Sequence, residues 1–162
     1  TDLTMFGYYI RNNTGIGFRS FASGLLFGVG TIAVLVFNGL FIGAVAGHLQ
    51  AIGFGQTFWP FVIGHSAFEL NAIVLSGAAG LMLGHSLLAP GRLTRRHSLQ
   101  RGARAALELV WGAALMFLVA AGIEAFWSPQ PGIPPAMKYA FGAFCWLFVA
   151  AYFLFAGRRR GA

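Results

Sequence analysis

The sequence predicts an all-α, polytopic integral membrane protein with four transmembrane helices and both termini in the cytoplasm. Three observations predict it. Of 162 residues, 57% are hydrophobic and only 9% are charged, where a soluble domain carries roughly 25% charged residues. Four stretches approach or exceed the roughly 20 apolar residues that a bilayer-spanning helix needs. All ten arginines fall on one side of the membrane if these four stretches alternate. The same composition excludes a soluble enzyme and a disordered regulator, since too few charged groups are present to cover a water-facing surface.

Residues 1–20 mix Phe6, Tyr8, Tyr9 and Ile10 with Arg11, Asn12 and Asn13, which suits an interfacial segment. The first span, 21–47, has no charged residue. The second, 58–84, has one, Glu69. Each is 27 residues long, about 40 Å of helix, so each must tilt, break or project past the headgroups. Pro60 suits a first helical turn, where its missing N–H costs nothing. The connection 85–104 holds Pro90-Gly91, a turn signal, and Thr94 is placed to cap the helix entering the third span. The third span, 105–127, contains Glu108 and Glu124. Four of the six prolines lie in 128–135, which cannot be helical throughout. The fourth span, 136–157, is aromatic, with Phe141, Phe144, Trp146, Phe148 and Tyr152, and much of that surface is expected to face lipid. Residues 158–162 form a basic tail.

Charge sets the orientation. Arg11 and Arg19 precede the first span, Arg92, Arg95, Arg96, Arg101 and Arg104 lie between the second and third, and Arg158, Arg159 and Arg160 follow the fourth. The positive-inside rule puts these segments in the cytoplasm. The net charge of +7 is therefore a topology signal rather than a sign of nucleic acid, and the middle cluster can also meet anionic lipid. The single cysteine, Cys145, excludes an intramolecular disulfide and suits apolar packing. The chain opens on Thr1 and lacks a signal-peptide pattern, so an amino-terminal portion is expected to be missing.

Glycine spacing predicts close helix packing. Gly39, Gly43 and Gly47 repeat every fourth residue, as do Gly24 and Gly28, and Gly80 and Gly84 beside Gly77. Small residues at this spacing let helices approach where lipid supplies no hydrophobic drive. Packing within one four-helix chain and a homodimer face both satisfy the pattern.

Polar groups at bilayer depth carry the functional reading. An ionised side chain there costs about 2.5–3.5 kcal/mol on the insertion scale, so it should face the protein interior and have partners. Asn38, His65, Glu69 and Glu124 all fall in the outer half or near the middle of the bilayer. Glu108 lies one turn from Arg104, a suitable i, i+4 partner. His65 and Glu69 share one helix face. With Glu124 from a neighbouring helix they form a set able to hold a divalent metal with an open position, or to move protons. The alternatives are a hydrogen-bonded cluster that locks helices together and an ion path. No HExxH pattern is present. His48, near the outer end of the first span, reads as a loop residue.

Several motifs, in order, complete the reading. They are Asn38-Gly39, Gly64-His65-Ser66-Ala67-Phe68-Glu69-Leu70, Ser76-Gly77-Ala78-Ala79-Gly80-Leu81 and Ala120-Ala121-Gly122-Ile123-Glu124-Ala125-Phe126. In combination they resemble the stage II sporulation protein M family, from about Tyr8 to the end of the fourth span. The resemblance implies an integral protein of the cytoplasmic membrane. In spore formers the family scaffolds peptidoglycan hydrolases during engulfment. Relatives in other bacteria are long, with a soluble amino-terminal half, and often neighbour a MoxR-type ATPase and von Willebrand factor A proteins. This chain is similar to the membrane half of such a long member. The reading favoured by sequence is a membrane scaffold for envelope enzymes, with lipid and other envelope proteins as partners and a structural polar cluster. The alternatives are an intramembrane metal-dependent enzyme or metal-binding protein with an outward-facing site, and a transporter or channel component.

Overall fold

A computed structural model describes residues 1–156. Five helices follow one another: α1 (Asp2–Ala22), α2 (Val29–Ala51), α3 (Gly55–Leu88), α4 (Arg95–Gly122) and α5 (Pro135–Phe155). A 3-10 turn at Ser23–Leu25 leads from α1 toward α2, and a π-helical turn at Ile123–Trp127 ends α4. The protein is all-α. Four of its helices are long and apolar enough to cross a bilayer: α2, α3, α4 with its π turn, and α5. The tail arginines 158–160 lie outside the described residues.

α3 is the hub. It has 34 residues, roughly 50 Å of helix, and it touches every other helix. Its buried positions include Gly64, Ala67, Ser76, Gly77, Ala79, Gly80 and Gly84, so neighbours seat against backbone rather than against long side chains. The largest fully buried side chains are Asn13, Thr31, Ser20 and Ser128. All are polar and small, and all but Asn13 have hydroxyls. The Thr31 hydroxyl donates to the Ser20 carbonyl at 2.8 Å, and the Ser20 hydroxyl to the Ile16 carbonyl at 2.9 Å. Large apolar groups point outward instead: Phe37, Leu40, Trp111, Phe144, Leu147 and Phe148 are all exposed, as helices bathed in hydrocarbon require. Thr94 caps α4 as its position predicts, accepting from the His97 N–H.

The first 28 residues depart from expectation. Residues 1–20 form most of α1, which packs along α3 and α4. Its packed face is Asn13, Gly17 and Ser20. A Cβ on Gly17 would strike the Phe117 ring, and one on Gly24 would strike the Gly80 carbonyl. The first span begins at Val29, not at Phe21. Residues 23–28 are a turn, because Phe27 (φ 54°) and Gly28 (φ 82°) are left-handed, a geometry that glycine adopts freely. Gly28 also meets Gly84 closely enough that a Cβ on Gly84 would hit the Gly28 backbone.

These contacts order the helices. Gly17 lies by Ser76, Gly24 by Gly80, and Gly142 by Ile63, so α1, α3 and α5 run one way and α2 and α4 the other. The start of α1 and the end of α5 therefore lie at opposite ends of the bundle. Arg11, two residues from Asn13, is level with the polar cluster described below rather than with the arginine loop. The outer face of α1 carries Tyr8, Arg11, Asn12, Gly15 and Arg19 around a polar recess.

Three smaller expectations change. α3 starts at Gly55, so Pro60 sits inside the helix, not in its first turn. Glu108 is exposed and makes no ion pair with Arg104 among the described residues. Of the predicted packing glycines, Gly77, Gly80 and Gly84 abut α2 or its preceding turn, at Leu35, Thr31 and Gly28 respectively. At Gly39, Gly43 and Gly47 an added Cβ would have nothing within 4 Å.

Candidate functional site

The site lies where the first half of α3 meets the π turn. In α3 the spacing of His65 and Glu69 places both on one face, with Nε2 of His65 3.7 Å from Oε2 of Glu69. Glu124 comes from the π turn, whose register is set by the Ser128 N–H donating to the Ile123 carbonyl at 2.8 Å. Such i→i+5 turns inside α-helices occur frequently at functional sites. One ligand atom from each of His65, Glu69 and Glu124 lies within 4.8 Å of the other two. His65 is buried at 4% relative exposure, and the Glu69 side chain is 17% exposed.

Surrounding hydrogen bonds orient these groups. The other ring nitrogen of His65, Nδ1, is 3.3 Å from the buried Ser128 hydroxyl. That contact leaves Nε2 turned toward the carboxylates. Asn13 of α1 donates from Nδ2 to Oε2 of Glu124 at 3.4 Å, while Asn12 donates to Oδ1 of Asn13 at 3.1 Å. Lys138 donates to the Ser128 carbonyl at 2.7 Å, tying the end of the π turn to α5. Trp146 donates to the Ser66 hydroxyl at 3.2 Å. Ligand groups held by outer hydrogen bonds in this way are the usual construction of a metal site.

Sequence reasoning selected His65, Glu69 and Glu124, and the fold brings them together. It does not bring Asn38 to them. The Asn38 amide donates back to the Val34 carbonyl at 2.9 Å within α2. His48 is exposed at the end of α2 and takes no part. Sequence reasoning missed Asn13 and Ser128. Asn13 had a readable signal, since Asn13, Gly17, Ser20, Gly24 and Gly28 continue the small-residue spacing of the Gly24–Gly28 pair backward. Ser128 had none, because the π turn that places it was not visible.

The donor set is one imidazole nitrogen and carboxylate oxygens. It fits a divalent transition cation such as zinc, manganese or iron. Ligand atoms around tetrahedral zinc stand roughly 3.3 Å apart, given bonds of about 2.0–2.1 Å, so the three groups need only close in by side-chain rotation. Outer-shell groups typically contribute 10–100-fold in metal affinity. Asn13→Ala should therefore weaken cation binding by about that factor while leaving the helical content of the purified protein unchanged. Isothermal titration in detergent against circular dichroism separates the two effects.

The described helices leave a cavity of about 560 Å3 beside this cluster, with His65, Glu69 and Glu124 among its lining residues. No curated protein and no solved structure matches the chain. The family model described as Stage II sporulation protein M matches residues 1–129, which covers α1 to α4, the π turn and every residue of the cluster but not α5. On that match, the chain belongs to the stage II sporulation protein M family.

Proposed function

We propose that this is a membrane-embedded metal-binding protein whose cation is held by His65, Glu69 and Glu124 in the outer half of the cytoplasmic membrane. One observation carries the reading: two carboxylates and an imidazole converge within 4.8 Å in apolar surroundings. Two ionised carboxylates about 5 Å apart would repel by roughly 3 kcal/mol at an effective dielectric near 20. A divalent cation removes that cost and neutralises the pair. With three protein ligands and an open position, such a cation polarises an oxygen ligand or activates water. His65 supplies nitrogen and stays oriented through Ser128, Glu69 and Glu124 supply charge, and Asn13 fixes the Glu124 carboxylate. Elemental analysis of the protein purified in lipid nanodiscs should give about one divalent cation per chain and none in His65→Ala. An equal content in both, or none in either, would remove the reading.

The arginine-rich α3–α4 connection lies at the far end of the bundle from the cluster. Under the positive-inside rule that end is cytoplasmic, and the cluster opens outward. In a Cys145→Ala background, Gly132→Cys should react with an impermeant maleimide on intact cells, and Leu93→Cys only after permeabilisation. The opposite pattern would invert the topology.

A second reading, a scaffold for envelope proteins, draws on the outer face of α1. Arg11, Asn12 and Arg19 there point away from the bundle, and polar groups beside lipid are expensive. Another membrane protein seated on that face would shield them. Co-purification lost on Arg11→Leu/Arg19→Leu supports this role. It is compatible with a bound cation.

A further inference from the structure

The cavity beside the cluster has an unusual outline. α2 and α3 are pinned together at both ends. At one end Gly28 meets Gly84, Thr31 meets Gly80 and Leu35 meets Gly77. At the other, the Trp59 indole donates to the Gln50 amide oxygen at 2.8 Å. Between these pins the helices part around Gly43, where an added Cβ would have nothing within 4 Å. α5 packs chiefly on α3. The result is a side window between α2 and α5. Its walls are apolar, with Phe41 and Val45 on α2, Phe58 and Val62 on α3 and Trp146 on α5. His65, Glu69 and Glu124 form its polar floor. The volume of about 560 Å3 lies within the range of roughly 300–1,000 Å3 typical of small-molecule sites.

The medium outside this window is hydrocarbon. An occupant arriving from water must pass either pinned end, whereas an occupant arriving from the bilayer meets only apolar walls. The floor in turn suits an oxygen-rich group and not a bare alkane. An amphiphile satisfies both requirements: its apolar part meets the Phe41, Val45 and Val62 walls, and its oxygen-bearing junction reaches the cluster. We infer that the window is a lateral entry site for a long-chain membrane lipid, whose oxygen-bearing junction meets the His65–Glu69–Glu124 floor. The placement of that junction rests on the metal-binding reading, whereas the entry of the chain does not.

Gly43 supplies the test. It lines the window, and a Cβ added there has no protein atom within 4 Å, so the indole of Gly43→Trp starts from open space and occupies the window. Gly39 is equally open but does not line the window, which makes Gly39→Trp the matched control. Protein in phosphatidylglycerol nanodiscs with a trace of diazirine-acyl phosphatidylglycerol is irradiated, and labelled peptides are mapped. Labelling should concentrate on 41–46 and 58–62. It should fall at least fivefold in Gly43→Trp and be unchanged in Gly39→Trp. Uniform labelling of outward-facing residues such as Phe144 and Phe148, or no effect of Gly43→Trp, would overturn the inference. Cation content is measured on the same samples. Window labelling without bound cation would leave chain entry standing and remove the metal reading. Bound cation without window labelling would do the reverse.

Discussion

Replacing Glu69 with glutamine should lower affinity for a divalent cation by at least about 100-fold, beyond the range of outer-shell changes, while the protein still folds. The substitution keeps the shape of the side chain and removes its charge. It also relieves the repulsion between Glu69 and Glu124, so the apo protein should be no less stable and is expected to be more so. Loss of binding with unchanged or raised stability is what separates a metal site from structural glue, where removing one partner of a buried network destabilises. Glu124→Gln should behave alike, and the double variant should lose little more than either single one, because the ligands act as a unit. Protons compete for all three ligands, so affinity should also fall as pH is lowered. Competition titration with a fluorescent zinc chelator, beside thermal unfolding in detergent, measures both quantities.

Gly84→Val should be strongly damaging although it lies away from the cluster. A Cβ at Gly84 would collide with the Gly28 backbone, and backbone in a left-handed turn has no rotamer through which to yield. Overpacking of this kind costs about 1–3 kcal/mol, and more where nothing can shift. The expected result is a large drop in the yield of monodisperse protein and in its unfolding temperature. Gly47→Val, with nothing near its Cβ, should leave both unchanged. Fluorescence-detected size exclusion after graded heating compares the two directly.

The spans were legible because hydrocarbon dictates them. α2 to α5 follow from apolar length, and Thr94 from its place before a helix. α1 was obscured because Arg11, Asn12 and Arg19 mask its packed face of Asn13, Gly17 and Ser20, so its hydropathy resembles that of a surface segment. The start of the first predicted span was misplaced by the left-handed pair Phe27 and Gly28, since no pattern distinguishes a helix from a turn in a run of apolar residues. Within the site, the i, i+4 pair His65 and Glu69 is a local relation that sequence states outright. Glu124 joined it by the logic of burying charge together. Asn38 obeyed the same logic and failed, because an amide can satisfy itself on the Val34 carbonyl of its own helix, whereas a carboxylate has no such donor within reach. The open face of Gly39, Gly43 and Gly47 shows the same limit: small residues permit close approach but do not say whether a helix or a space lies opposite.

X-ray absorption at the edge of the bound metal, on protein in lipid nanodiscs, tests the central claim most directly. Three shared ligands predict a shell of nitrogen and oxygen only, at about 2.0–2.1 Å, with the multiple-scattering signature of one imidazole that disappears in His65→Ala. A shell of water oxygens lacking imidazole, or sulfur near 2.3 Å from Cys145, would show that the cation sits elsewhere.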